Sequence, residues 1–225
     1  MKLIHTAILL TCFIMLSAQS DSLSRLDNNF KFEEGIYFSF EALTNNRADL
    51  GWYGIDGEMV ELPESRRVQI AGLGYGEAWV EQEPYAIVLD GKPYVLTKVD
   101  SSLGYHEFVG LSRLGALCFY EYKTTVIRGQ TMYAYNPATR RPFREAYVER
   151  ERVERVRKCI DWNTGRQFDL TRADLLLPLA QQPDLIRAMS QLDPNATDFY
   201  PKLLQAVVRY NERTPVYLPT KTINR

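Results

Sequence analysis

Two histidines and three cysteines are few for 225 residues, and the first 20 residues hold one of each. With His5 and Cys12 there, His106, Cys118 and Cys159 are all that the rest of the chain can bring to such chemistry. A single histidine cannot supply an HExxH helix, a three-histidine zinc site or a two-histidine metal triad. Neither a metal nor another cofactor is expected. Strong net charge is lacking too: the formal value is -1. Bulk electrostatics therefore favours neither nucleic-acid binding nor strong adsorption to a membrane. After the first 20 residues no apolar run approaches the roughly 20 residues that a helical membrane span needs.

Those first residues have a pattern of their own. Residues 1–20 carry one lysine, an apolar centre from 7 to 16, and then Ala18-Gln19-Ser20, small residues at the two positions a signal peptidase reads. That is the pattern of a secretory signal peptide, which is removed and takes no part in the fold. Its apolar run is too short for a transmembrane anchor. Cys12 follows Leu9-Leu10-Thr11, but threonine is a poor residue before a lipoprotein cysteine, and the apolar run continues past it. Export to the periplasm or the exterior is the expectation. About 205 residues then remain, enough for one sizeable core or two small ones.

The densest strand-forming stretch lies between Trp79 and Ile127. Tyr85-Ala-Ile-Val-Leu89 and Tyr94-Val-Leu-Thr97 flank Asp90-Gly91, a pair suited to a two-residue turn because both residues tolerate positive φ. That turn sets Leu89 opposite Lys92, Ile87 opposite Tyr94 and Tyr85 opposite Leu96. Pro93 donates no ladder bond, which predicts a bulge or a sheet edge there. From Ala116 the chain reads as another strand, with Cys118, Tyr120 and Tyr122 on one face and Leu117, Phe119 and Glu121 on the other. Asp56-Gly57, between Trp52-Tyr-Gly-Ile55 and Glu58-Met-Val-Glu-Leu62, predicts a second two-residue hairpin. Residues 67–73 form a further predicted strand. Asn136-Pro137-Ala138-Thr139 marks a turn between residues 132–135 and 141–143.

Residues 147–158 admit two readings. Val153, Val156 and Ile160 suit a thin helical stripe, whereas the run into Lys158-Cys-Ile-Asp-Trp162 suits a charged strand. Beyond residue 170 the period changes. Thr171 and Asp174 form a capping pair, Pro183 opens a second helix, and a third begins near Thr197 or Asp198 and stops before Pro215. The fold class that follows is α+β, an antiparallel β-rich body with a small C-terminal helical segment packed on it. The organisation reads as 1–20 signal peptide, 21–34 tether, 35–170 β-rich body, 171–214 helices and 215–225 tail.

An outer-membrane barrel is the rival for a β-rich exported chain, and it needs strands of about 9–11 residues with an outward apolar band. The helical last quarter and the prolines at 63, 84, 93 and 142 break such a succession.

Gly35-Ile-Tyr-Phe-Ser-Phe-Glu-Ala-Leu-Thr-Asn-Asn46 resembles the GIY-x-x-FE-x-x-x-NN opening of uncharacterised secreted proteins of Bacteroidota. Arg209-Tyr-Asn-Glu-Arg213 is similar to the helical tail of the same group. The resemblance implies a Gram-negative envelope setting and a short helical turn capped by Ser39. It brings no activity and no catalytic residue.

Function is approached by elimination. A nucleophilic pair of His106 and Cys118 has no flanking signature, so a structural histidine is expected. Cys118 and Cys159 form one disulfide in an oxidising compartment or remain two buried thiols, and the sequence leaves both open. Gly72-Leu-Gly-Tyr-Gly76 lacks the spacing and the lysine of a phosphate loop and reads as a turn or bulge. Asn195-Ala-Thr197 fits a glycosylation sequon, but Thr197 is better explained as a helix cap. Charge is uneven, with eight acids against two bases over residues 31–64 and eight bases against four acids over residues 140–158. Solvated faces that complement each other within the molecule account for that.

Two function classes survive. The first is a non-catalytic envelope protein with a binding or structural role, whose partner is an envelope protein, a glycan or a lipid head group. The second is a carboxylate-based glycan hydrolase, which needs two acids about 5–10 Å apart. Glu41, Asp56, Glu107 and Glu121 are its candidates, and no spacing singles out a pair. No catalytic, cofactor-binding or metal-binding residue is assigned. The 14 tyrosines discriminate: a concave aromatic groove with two convergent acids marks the enzyme, and a flat patch marks the binder.

Overall fold

A computed structural model describes residues 22–75, 82–100 and 102–220; the expected signal peptide lies outside them. The stretch read as a tether is built into the fold. Ser22–Arg25 forms strand β1, and Leu26, Phe30 and Phe32 behind it are buried. Phe30 meets Phe32 edge-on at 4.8 Å, and Phe32 packs on Trp162 at 6.0 Å. Their spacings of four and two, with Asp27, Asn28, Asn29 and Lys31 between, are too few to establish a helical or a strand period, yet they fill the core all the same.

Gly35–Tyr37 forms β2, and Phe40–Thr44 forms the one-turn helix α1. Ser39 caps α1, its hydroxyl accepting from the Ala42 N–H at 3.0 Å. Asn46 then turns the chain at φ 48°. Its side-chain carbonyl accepts from the Glu33 N–H at 2.8 Å, and its amide donates to the Pro219 carbonyl at 2.9 Å. One buried asparagine thus ties the N-terminal segment to the C-terminal one.

Ile55–Leu62 (β3) and Arg67–Tyr75 (β4) pair antiparallel, but not through Asp56-Gly57. Both of those residues lie inside β3, Trp52–Gly54 is a 3-10 turn, and the reversal is made by Pro63–Ser65 with Arg66 at φ 51°. A two-residue turn of that kind needs positive φ at both positions, and here only Gly57 takes it, at 141°. Gly57 instead faces two residues of β4, Gly72 and Leu73, and Gly72 has φ 61°. That is a glycine bulge, the alternative expected for the glycine-rich stretch; Gly76 lies outside the described residues.

Ala86–Leu89 (β5) and Lys92–Asp100 (β6) form the hairpin the sequence predicts. Asp90 and Gly91 have φ 53° and 70°, and Leu89 pairs with Lys92 and Ile87 with Tyr94. Pro93 marks neither an edge nor a bulge, because β6 lies between β5 and Tyr105–Gly110 (β7), and its irregularity falls at Leu96/Lys98. The proline is tolerated because it stands beyond the last residue of β7; its carbonyl accepts from the Leu111 N–H at 3.0 Å. The six-stranded sheet runs β2-β5-β6-β7-β4-β3, antiparallel throughout. Ile36, Ile70, Ile87 and Phe108 are buried on one face, and Tyr37, Val88, Val95 and Val109 on the other.

Leu117–Tyr135 (β8) does not extend that sheet. It starts a second one with Pro142–Asp161 (β9) and Gln167–Asp169 (β10), in the order β10-β9-β8. Residues 147–158 are strand. In that conformation Val156 and Ile160 share the inward face while Val153 points to the opposite one, so their helix-like spacing is incidental. At the root, Cys118 and Tyr120 face the six-stranded sheet's core, and Leu117 and Phe119 face the helices, as the alternation predicts.

The helices are Arg172–Leu175 (α2), Pro183–Ser190 (α3) and Phe199–Arg213 (α4). Thr171 caps α2, accepting from the Asp174 N–H at 3.1 Å. Leu175, Leu185, Met189, Leu203 and Val207 pack on Leu117, Phe119 and Cys159. The stretch read as a tail is built into the fold as far as Thr220: Tyr217–Thr220 (β11) pairs antiparallel with β1. Among the described residues no helix is long and apolar enough to cross a membrane.

Candidate functional site

The four candidate acids do not converge. Glu41 lies on α1 and Asp56 on the outermost strand β3 of the six-stranded sheet. Glu107 lies on β7, buried at 7% exposure, and its carboxylate is already occupied. Arg67 donates to both of its oxygens, at 3.2 and 3.3 Å, and Gln69 donates to one at 2.8 Å. Glu121, on β8, is held by Arg157 at 3.3 Å and Arg155 at 3.9 Å. Both carboxylates thus have their oxygens engaged by neighbouring side chains rather than presented to an open site. None of the three larger clefts among the described residues is lined by two of these four acids.

His106 and Cys118 are equally separate. His106 pairs with Ile70 and lies on the face of Ile70 and Phe108, whereas Cys118 packs against the opposite face. Burial lowers the affinity of the imidazole for a proton, and its buried Nδ1 has no hydrogen-bond partner among the described residues. The two cysteines are free. Register explains why: Cys118 pairs with Ile160, so Cys159, one residue on, points to the other face of the sheet. Burial pushes each thiol up to about 12, which leaves both inert toward electrophiles at neutral pH. Among the described residues no group of three or more metal-ligating side chains assembles.

The tyrosines form no groove. Tyr37 and Tyr120 are buried in the core, and desolvation holds both phenols well above their ordinary range. Tyr133, Tyr135 and Tyr147 stand exposed on the far half of the β8–β9 ribbon.

What does assemble is a basic cleft of about 640 Å³. It lies where the β3–β4 turn and the end of β7 approach the root of the ribbon, with Leu204 of α4 in its wall. Arg66, Arg67, Arg113, Lys123 and Arg155 line it, against the acids Glu64 and Glu121. Arg66 stands on the turn in the left-handed conformation, and the Arg113 guanidinium donates to the neighbouring Ser112 carbonyl, at 3.1 Å. Arg66, Arg113 and Lys123 form no ion pair among the described residues; Arg67 and Arg155 are committed to Glu107 and Glu121. Lys123 also stands directly opposite Arg155 in the ladder. Like charges in that position repel, and a bound anion would relieve the cost. A second cleft of about 480 Å³ adjoins the first and shares Arg66, Arg67 and Arg113 with it.

Sequence reasoning missed this site because its cations come from four separate segments. The charge tally marked residues 140–158, which supply only Arg155. No spacing rule joins Arg66, Arg113 and Lys123 to it.

No family model, curated protein or solved structure matches the chain.

Proposed function

We propose that the chain is an exported, non-catalytic binding protein of a Gram-negative envelope, and that it takes an anionic ligand in the basic cleft. The observation that carries this reading is five cations against two acids around one concavity, three of the cations having no ion-pair partner among the described residues. A phosphate or carboxylate group suits such a site because guanidinium forks donate to two oxygens of either in one plane. In an envelope both an acidic glycan and a phosphorylated lipid head group offer that chemistry. The signal-like residues 1–20 and the resemblance at residues 35–46 support export and setting. The hydrolase alternative draws no support from Glu107 and Glu121, each held by arginine.

The test is calorimetric titration with a polyuronate and with vesicles of phosphatidylglycerol, at low and at high salt. Binding of at least one is expected, weakening as salt rises. The double variant Arg66→Ala/Arg113→Ala should lose about tenfold in affinity, since two exposed charge contacts contribute roughly 1.4 kcal/mol together. The polyuronate arm and the vesicle arm separate glycan from lipid. Binding of neither, or an affinity untouched by the double variant, would overturn the cleft assignment. Mass spectrometry of the secreted chain tests export, with an N-terminus at Asp21 expected.

A further inference from the structure

We propose that the free edge of β8, over residues 127–133, pairs antiparallel with the same edge of a second copy of this chain across a two-fold axis. This goes beyond the cleft reading and does not depend on it.

The ladder settles which backbone groups point outward. Ala116 bonds inward, its carbonyl accepting from the Trp162 N–H at 2.8 Å. Alternation then turns the odd-numbered residues of β8 away from β9. At the root those outward groups are all taken. Leu117 exchanges two hydrogen bonds with the Asn211 side chain, both at 2.8 Å, and Phe119 exchanges bonds with Arg113 and Ser112. Beyond the root, the outward groups of Lys123, Thr125, Ile127, Gly129, Thr131 and Tyr133 have no backbone partner among the described residues. Only one register shift occurs, at Ala134/Tyr135, so the outward set stays in phase up to Tyr133.

The composition of the two edges differs. Residues 124–135 of β8 contain one charge, Arg128, and no proline, with threonine, valine, isoleucine and tyrosine predominating. The corresponding part of β9 is dense with arginine and glutamate. Edge charges are the usual defence against strand addition, so β9 is protected and β8 is open. A two-stranded ribbon alone is marginally stable in water, and a third strand is what it lacks.

The occupant follows from self-compatibility. A two-fold axis perpendicular to the ribbon keeps each face on its own side, so only residues of like parity oppose one another. Centred on Gln130, the pairing sets Ile127 against Tyr133 twice, the aromatic–aliphatic type that favours sheet formation. Arg128 then faces Met132, and Gln130 faces its own copy with amides able to exchange hydrogen bonds. No two charges oppose each other. The exposed Ile127, Tyr133, Tyr147 and Val153 of each copy lie on one face and merge into a single apolar surface.

Sedimentation velocity of the full chain at micromolar concentration tests this, and twice the monomer mass is expected. Thr131→Pro removes an outward N–H and spares the β8–β9 ladder, and Ile127→Lys places a charge on the edge. Both should sediment as monomers with unchanged circular dichroism. Gln130→Cys should form a covalent dimer on mild oxidation of the chain from residue 21, because the residue opposes itself and Cys118 and Cys159 are buried. A monomeric wild-type chain overturns the proposal, and so does a dimer that survives both edge variants or a Gln130→Cys dimer that stays non-covalent. None of these results bears on anion binding in the cleft.

Discussion

The two halves of the β8–β9 ribbon share one ladder but have different surroundings. At the root, Leu117, Cys118, Cys159 and Ile160 are fully buried, with the six-stranded sheet on one face and the helices on the other. In the far half, Ile127, Tyr133, Tyr147 and Val153 are exposed, and only the partner strand holds each strand in place. Hydrogen bonding is continuous along both halves, so burial sets the difference in local stability. Backbone ladders specify shape, and apolar contact supplies most of the net stabilisation. An element with the first and little of the second gains its order from whatever covers it.

Leu117→Ala is the severest test of the root. The side chain is fully buried between β8 and the helices, and its loss leaves a cavity that close packing cannot collapse. A loss of about 2–5 kcal/mol is expected in chemical denaturation. A value below about 1 kcal/mol would show that the root is loosely packed and that the two halves differ little.

Turns sharpen the comparison. Asp90 and Arg140 both sit at positive φ, each at 53°, the first inside the body and the second at the ribbon tip. Proline cannot adopt that angle. Asp90→Pro should cost about 3 kcal/mol and lower Tm by roughly 6–12 °C. Arg140→Pro strains an end that is already solvated, so it should fray the tip and leave the global Tm in place. Equal losses in the two variants would mean that the tip is part of the cooperative unit.

The same dipeptide explains what was legible in the sequence. Asp90-Gly91 lies between two strands of matched alternation and makes the turn; Asp56-Gly57 is preceded by a 3-10 turn and becomes half of a bulge. The pair permits positive φ without requiring it, and the flanking strands decide. Likewise Thr171 could be read as a cap because its partner Asp174 is three residues away. Asn46 could not be read as a tie, because Pro219 is 173 residues away. Leu26, Phe30 and Phe32 were hidden for a related reason: three apolar residues among polar neighbours are too few to establish a period. The antiparallel β-rich body and the following helices were readable because they rest on local patterns. The basic cleft was not, since it is made only when four segments meet.

The smallest expected effect falls on the far half of the ribbon. Val153 is 69% exposed on β9, opposite Thr125, and belongs to none of the three core clusters. Val153→Ala removes little buried area, and the lost strand propensity is offset by solvent already present at the site. A change within about 0.5 kcal/mol is expected, several-fold below that of Leu117→Ala. The measurement belongs in the monomeric Thr131→Pro background, where association cannot contribute. A loss above about 1.5 kcal/mol there would mean that the exposed face is covered within a single chain. The contrast between root and far half would then fail, because burial would extend along the whole ribbon.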